Sequence, residues 1–534
     1  MWRRRLWHVP LILYCATATS FVHNCHHSTK ASIHHLTLNN EERHTNDCNI
    51  HLVSDLRRTS YSALLNKIPS HVKIVLIGEG THGTEEFTQI RSEITQCLIQ
   101  QQQNDSIGFK QYAIICEADV QPFHELNKFI TTSCDQYATT HMQNNNNVEK
   151  DDNGNDVGMI YSTLSKLFHS RFPDWMWANK SMSKFVSWLR GYNARRNKSF
   201  HDIQLVGMDI QSSFESMDYI NQQLLNMKEE ELAVYVRQCY EPLLKYRHST
   251  IRRYGNDVYG NKIASQQCAV KDALNALVER HNATIQSKIF ADDNNNIQQL
   301  RKDWWNVIHN GHVIVASEAY HRQRIHPGHS TTWNVRTRGM MDSILRCFEH
   351  MSQANNNSCT AKTASNEDEE VQAPVRCIVW AHNSHVGDMR STGYASLGQV
   401  SLGQLCREIF GNDNVFLIGM TMYDGSVRAA SADITGACWQ GKGELMKLRK
   451  ATDDSHEAVL HSIAKDHIKS DDEEKAFGLY LKEHQELFNC SRLERFVGSC
   501  YLPQTEMMSH YTQCIMASQF DFIFHVDNSS AVVV

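Results

Sequence analysis

Short apolar runs alternate with amphipathic stretches along this chain. The run at 72–77 (VKIVLI) reads as a strand buried on both faces. Similar runs recur at 112–116, 203–206, 312–316, 378–380, 415–418 and 520–525. Helical periodicity separates most of them. After the first run, acids at Glu85 and Glu86 precede apolar residues at Phe87, Ile90, Ile94 and Leu98. Further helical patterns span 182–195, 217–227, 230–244 and 340–349. The alternation predicts an α/β fold: a largely parallel central sheet flanked by helices. The stretch from about 161 to 310 has one clear strand and much helix, which predicts a helical subdomain covering the crevice.

Asn-rich or acid-rich stretches at 143–158, 292–296 and 355–373 lack apolar periodicity and read as loop insertions within one domain spanning 56–534. Residues 1–20 have the form of a signal peptide: Arg3, Arg4 and Arg5, a short apolar stretch, then small residues. The His-, Ser- and Asn-rich segment that follows, to about residue 55, reads as a leader or a disordered arm. The expected destination is the secretory pathway or the extracellular space. The alternative is a plastid reached through a bipartite leader.

A net charge of −6 over 534 residues gives no reason to expect nucleic acid or an anionic membrane as partner. The expected partner is a small molecule, and the oligomeric state is open. None of the 16 cysteines lies in a C-x-x-C or zinc-ribbon spacing. Cys116 and Cys377 fall in predicted buried strands, and Cys490 and Cys500 are candidates for a bridge in an oxidising compartment.

Chemistry gathers just past the predicted strand ends. The first strand runs into Gly78-Glu79-Gly80-Thr81-His82-Gly83, a tight loop before a helix. This loop also fits G-x-G-x-x-G, but a carboxylate inside a pyrophosphate cradle would repel the phosphates, so dinucleotide binding ranks lower. The next strand ends add Glu117 and Asp119, then Asp209, then Glu318 and His321, then His382-Asn383-Ser384-His385 with Asp388 and Arg390. In a parallel sheet these ends share one side, so the groups should converge. Arg91 adds a cation two turns into the first helix. Each group has a plain alternative: Asp209 as a helix cap, Arg91 as an ion-pair partner, the histidines as hydrogen-bonded structure. Repetition across several strands favours a site. No G-x-S-x-G elbow and no H-E-x-x-H helix occurs. Imidazole and carboxylates remain to activate water, without a cofactor. A metal-dependent version would use Glu79, His82, His382 and His385 around a divalent ion.

With these motifs in place, the chain resembles the erythromycin esterase family. The loop from Gly78 to Phe87 with Arg91, the Phe172-Pro173-Asp174-Trp175-Met176-Trp177 box, Gly207-Met208-Asp209, Trp333-Asn334-Val335-Arg336 and Trp380-Ala381-His382-Asn383-Ser384-His385 look like its motifs in collinear order. So does the C-terminal stretch from Tyr501 to Glu506 with Ser509-His510-Tyr511. The resemblance implies hydrolysis of an ester or a macrolide-like lactone. It implies His82 as general base supported by Glu79, with Arg91, Glu117, His382 and His385 completing the catalytic set. Arg91, or the N-terminus of the helix beside it, is the expected oxyanion partner, and His382 or His385 the expected proton donor to the leaving alkoxide. Trp175, Trp333, Arg336 and Asp209 are the candidate substrate contacts.

Overall fold

The computed structural model describes residues 51–52, 59–101, 109, 111–131, 157–169, 171–196, 202–247, 251–290, 297–324, 329–356, 375–431, 443–467 and 476–534. The proposed signal peptide and most of the leader and loop insertions lie outside the described residues. The chain from Asn49 onward clusters as one unit.

Nine strands build one mixed, largely parallel sheet, as the alternating pattern predicts. They are β1 (His51–Leu52), β2 (Ile74–Ile77), β3 (Gln111–Asp119), β4 (Gln204–Asp209), β5 (Val375–Trp380), β6 (Val415–Ala429), β7 (Glu444–Leu448), β8 (Ala476–Tyr480) and, completing the sheet, β11 (Phe522–Ser529). Two further strands, β9 (Arg492–Arg495) and β10 (Tyr511–Cys514), form a small antiparallel ribbon. The main order is β1-β8-β11-β6-β2-β5-β3-β4, with β7 added antiparallel to β6. Strands β11, β6, β2, β5, β3 and β4 run parallel. Among the described strands of this sheet, the antiparallel pairs are β11 with β8, β8 with β1 and β6 with β7.

The first strand is apolar throughout because both of its faces are covered. Val75 and Ile77 belong to one hydrophobic cluster, with Ile114, Cys116, Ile378 and Trp380. Ile74 and Leu76 belong to another, with Ile115, Cys377 and Val379. Side chains alternate faces along a strand, so a doubly covered strand needs an apolar residue at every position. Cys116 and Cys377 are buried free thiols in these layers. Cys500 is disulfide-bonded, and Cys490 is not its partner, because Cys490 carries a free thiol.

The predicted strand at 312–316 is a correction. Those residues sit inside the 27-residue helix Ile297–Gln323. A short apolar run does not by itself distinguish a strand from a buried helix. The burial at Trp304, Val307, Gly311, Ile314 and Glu318 steps by three and four, as a helix requires. This helix joins Ser213–Asn226, Glu230–Leu244, Ile251–Tyr259 and Gln267–Phe290 around a third cluster that includes Ile220, Tyr240, Leu277 and Trp304. Among the described residues no helix is long and apolar enough to cross a membrane.

The loop after β2 is clamped by its glycines. A Cβ on Gly78 would lie 2.2 Å from Asn383 Oδ1, and one on Gly83 only 1.8 Å from the Arg428 carbonyl oxygen. The Gly83 carbonyl accepts hydrogen bonds from the backbone N–H groups of Arg428 and Val532, both at 3.0 Å. Gly83→Ala should therefore force the loop off β6 and destabilise the protein by about 1–3 kcal/mol. Denaturant unfolding beside the unsubstituted protein measures that loss.

Candidate active site

Four strand ends converge, and three residues form the first half of the site. Glu79 lies past the end of β2 and is fully buried. Its Oε1 accepts from His82 Nδ1 at 2.8 Å, and its Oε2 lies 2.7 Å from an Arg91 guanidinium nitrogen. Arg91 projects from the helix Glu85–Gln101 and is itself buried, its guanidinium 5.0 Å from the centroid of the Trp380 ring. Arg91 is enclosed and meets Glu79 through one nitrogen, so it positions the carboxylate, while its Nε and Nη1 have no hydrogen-bond partner among the described residues.

With Nδ1–H given to Glu79, the His82 lone pair is on Nε2. No hydrogen-bond partner holds Nε2 among the described residues, and the ring is 9% exposed. It borders Gly498, where an added Cβ would come within 4.0 Å of Nε2.

The second half is built around Glu117 at the end of β3. Its Oε1 accepts from Arg336 at 2.7 Å and lies 3.4 Å from His385 Nε2, while its Oε2 accepts from the His382 backbone N–H at 2.9 Å. Burial alone would raise the Glu117 carboxyl pKa, but the neighbouring His385 and Arg336 hold it well below the usual range. Arg336 reaches in from the long helix His329–Asn356 and also grips Asp209 through two nitrogens, at 3.0 and 2.8 Å. Its third nitrogen lies 3.1 Å from His385 Nε2. Arg336 and Asp209, read from sequence as substrate contacts, are instead paired with each other; Asp209 Oδ1 also accepts from the Ile210 N–H at 2.8 Å.

The two histidines after β5 differ in kind. His382 caps the short helix Asn383–Val386. Its Nε2–H donates to the Gly80 carbonyl at 3.2 Å, and its Nδ1 lies 2.8 Å from the Ser384 hydroxyl. Burial and the adjacent His82 push its pKa down to about 3. Both nitrogens are occupied and the ring stays neutral, so the expected proton-donor role does not fit His382. The His82 and His382 rings lie 5.1 Å apart, centroid to centroid. His385 is held by Arg336 and Glu117, and Trp333 stacks flat on it at 4.4 Å and 5°. The Trp333 indole N–H donates to the Val400 carbonyl at 2.7 Å, so this ring braces His385.

Other expected members fall away. Trp175 is buried in the apolar core, with Gly443 so close that a Cβ there would overlap the indole, and it has no place at the crevice. Glu318 lies in the helical cluster, accepting from Tyr254 at 2.6 Å and Arg322 at 2.8 Å. His321 is buried on the same helix, away from any strand end. Asp388 is taken by Arg390 at 2.7 Å and Arg407 at 3.2 Å. Asp119 pairs with Arg171, yet burial raises its carboxyl to about 6. Among the described residues no group of three or more His, Cys, Asp or Glu is placed to hold a metal ion. Of the four proposed donors, His382 has both ring nitrogens engaged, by Gly80 and Ser384, and His385 has Nε2 engaged by Arg336 and Glu117.

Asn383 is the residue whose part the sequence did not disclose. Its backbone N–H donates to the Glu79 carbonyl at 2.8 Å. Its amide donates to the Met420 carbonyl at 2.8 Å and accepts from the Met420 N–H at 3.2 Å. It thereby ties together the ends of β2, β5 and β6. The only signal was its place in the His-Asn-Ser-His motif.

The sequence model of one protein family, described as erythromycin esterase, matches residues 107–529. Glu117, Asp209, Arg336, His382 and His385 lie inside that match; the loop carrying Glu79 and His82 precedes it. Among solved structures, the fold is similar to a protein from Bacillus cereus, at 16% identity over 90% of this chain and 95% of that one, with a TM-score of 0.59. It is similar to a succinoglycan biosynthesis protein at 16% identity, 91% and 95% coverage and a TM-score of 0.57. A mutant of the erythromycin esterase EreC, in its open conformation, matches at 13% identity, 88% and 94% coverage and a TM-score of 0.51.

The neutral His382 sets a pH dependence. Its folded pKa of about 3 lies below the unfolded value of roughly 6.5, so the unfolded chain binds the extra proton between them. Its contribution to stability is complete above the unfolded value and is lost as pH falls toward the folded one. His382→Asn keeps a capping side chain and removes the titration. Unfolding free energies measured from pH 7 to pH 4 should fall less steeply in this variant than in the unsubstituted protein.

Proposed function

The chain belongs to the erythromycin esterase family, whose members hydrolyse esters, and on that premise we propose that it opens a carboxylic ester or lactone with water activated by His82. One observation carries the reading. Glu79 holds His82 Nδ1–H at 2.8 Å, Arg91 holds Glu79 at 2.7 Å, and the opposite ring nitrogen is free of protein partners among the described residues. That is the arrangement of a general base with its tautomer fixed.

In the proposed reaction, water lies against His82 Nε2. The imidazole takes its proton as the oxygen attacks the ester carbonyl carbon. Glu79 steadies the imidazolium, and Arg91 holds the Glu79 carboxylate in place. When the tetrahedral intermediate collapses, the acyl–oxygen bond breaks and His82 returns the proton to the leaving alkoxide. The products are a carboxylic acid and an alcohol, or one hydroxy acid from a lactone. His385 is tied through Nε2 to Arg336 and Glu117, and these three hold the wall that faces His82 and carry His382 with it.

The proposed route uses no metal. The substrate class is a small ester; a macrolide-like lactone is the finer proposal. The secretory or extracellular destination is likewise proposed, from the leader, and the disulfide at Cys500 is in keeping with an oxidising compartment.

Turnover of a panel of esters and lactones by the purified protein is the primary test. His82→Ala should reduce it at least ~100-fold without unfolding the protein. Tight lactone binding without turnover in the unsubstituted protein would instead mark a binding protein. Dialysis against a chelator should leave activity intact; loss that is restored by adding back a divalent ion would replace the metal-free route.

A further inference from the structure

A cavity of about 1030 Å³ lies along the free edge of β4, and none of Glu79, His82, Glu117, Arg336 or His385 is among its walls. It is bounded by β4, by the helix Val120–Thr131 and by the ends of the helices Gln267–Phe290, Ile297–Gln323 and His329–Asn356. An edge strand exposes unpaired backbone groups, and here side chains cover part of that edge. Asn127 accepts from the Leu205 N–H at 2.8 Å and donates to Gln204 Oε1 at 2.9 Å. The volume is of the size that small-molecule sites occupy.

Its charge is unbalanced in a specific way. Arg346, Arg301 and Lys302 all line it, and none has a carboxylate within 4.0 Å among the described residues. Arg346 spends its polar atoms on neutral groups: Nε donates to His309 Nδ1 at 3.4 Å and one terminal nitrogen to Ser343 Oγ at 3.3 Å. Burial lowers the Arg346 pKa to about 10, with Asp342 and Glu349 offsetting only part of that. The acids on the wall are Asp202 and the exposed Glu349. The imidazoles add no charge near neutral pH. Burial pushes His350 down to about 4 and His124 to about 3, and holds His309 well below its ordinary value.

The rest of the wall mixes amides such as Gln204, Gln298 and Asn306 with an apolar patch. Trp305 is sandwiched between His309, at 4.9 Å and 7°, and His350, at 4.7 Å and 22°. Leu205, Ile308 and Met351 supply aliphatic surface. A partly buried guanidinium without a counter-ion, beside two more cations and an apolar wall, is incomplete without an anion.

We propose that this cavity is a second ligand site that takes an amphipathic organic anion, its acidic head on Arg346, Arg301 and Lys302 and its apolar body against Leu205, Ile308 and Met351. The assignment is independent of the ester chemistry at His82.

Titration calorimetry of the full chain with dodecanoate tests it, with dodecanol as the uncharged control. Dodecanoate should bind and dodecanol should bind at least ~10-fold more weakly. Arg346→Gln should weaken dodecanoate by at least ~10-fold and leave ester turnover unchanged. Ile308→Trp, which narrows the cavity beside the cations and keeps every one of them, should also weaken binding. If Arg346→Gln fails to fold, the double variant Arg301→Gln/Lys302→Gln, with Lys302 at an exposed position, should show the same loss. His82→Ala should bind dodecanoate as the unsubstituted protein does. Equal affinity for dodecanol, no binding, or binding lost in His82→Ala but kept in the cavity variants would overturn the proposal.

Discussion

The Glu79 carboxylate, buried between Arg91 and His82, is the interaction on which the rest of the site depends. A carboxylate fully removed from water is costly unless it is paired and hydrogen-bonded. Here one oxygen meets a guanidinium at 2.7 Å and the other an imidazole N–H at 2.8 Å. The cation comes from the helix after the loop and is enclosed against Trp380 of β5, whose indole N–H is anchored on Thr95 at 3.0 Å. Loop, helix and neighbouring strand must therefore be in place together. The orientation of His82 is a consequence of packing across three elements rather than a property of the loop alone.

A second buried network makes the facing wall equally fixed. Arg336 crosses from a long helix to bind Glu117 of β3 and Asp209 of β4, and Glu117 in turn receives the His382 N–H past β5. The charges sit in one chain of hydrogen bonds, so no carboxylate in it is left without a donor. Such a network costs much when broken and specifies geometry when whole. Asn383 joins the two halves by its contact with the Glu79 carbonyl and its double hydrogen bond to Met420. The polar residues of the crevice thus divide by exposure. His82 keeps an open nitrogen, and the others hold it in place.

The likeness to solved structures at 13–16% identity carries the fold and no more. Family membership carries ester hydrolysis as the chemistry, while the roles of individual residues rest on the contacts described above. The cavity beside β4 is a separate feature. It owes its form to the edge of the sheet and the ends of three helices, and its cations lack the carboxylate partners that Arg91 and Arg336 have.

Much of this architecture was legible in the chain. Residue period told strand from helix wherever a run was long or flanked clearly. The apolar VKIVLI segment, the acids opening the next helix and the strand-end placement of Glu79, His82, Glu117, Asp209 and the His382–His385 pair all follow from local pattern. The run at 312–316 misled because five apolar-rich residues satisfy either a strand or a buried helix, and only neighbours decide. Which groups are free and which are spent was also beyond the sequence. Arg91 and His382 read as catalytic residues and Arg336 as a substrate contact, yet each is paired inside the fold, with a partner as much as 302 residues away in the chain. Local sequence set residue type and strand end; tertiary packing set exposure, tautomer and pairing, because those depend on what lies across the sheet.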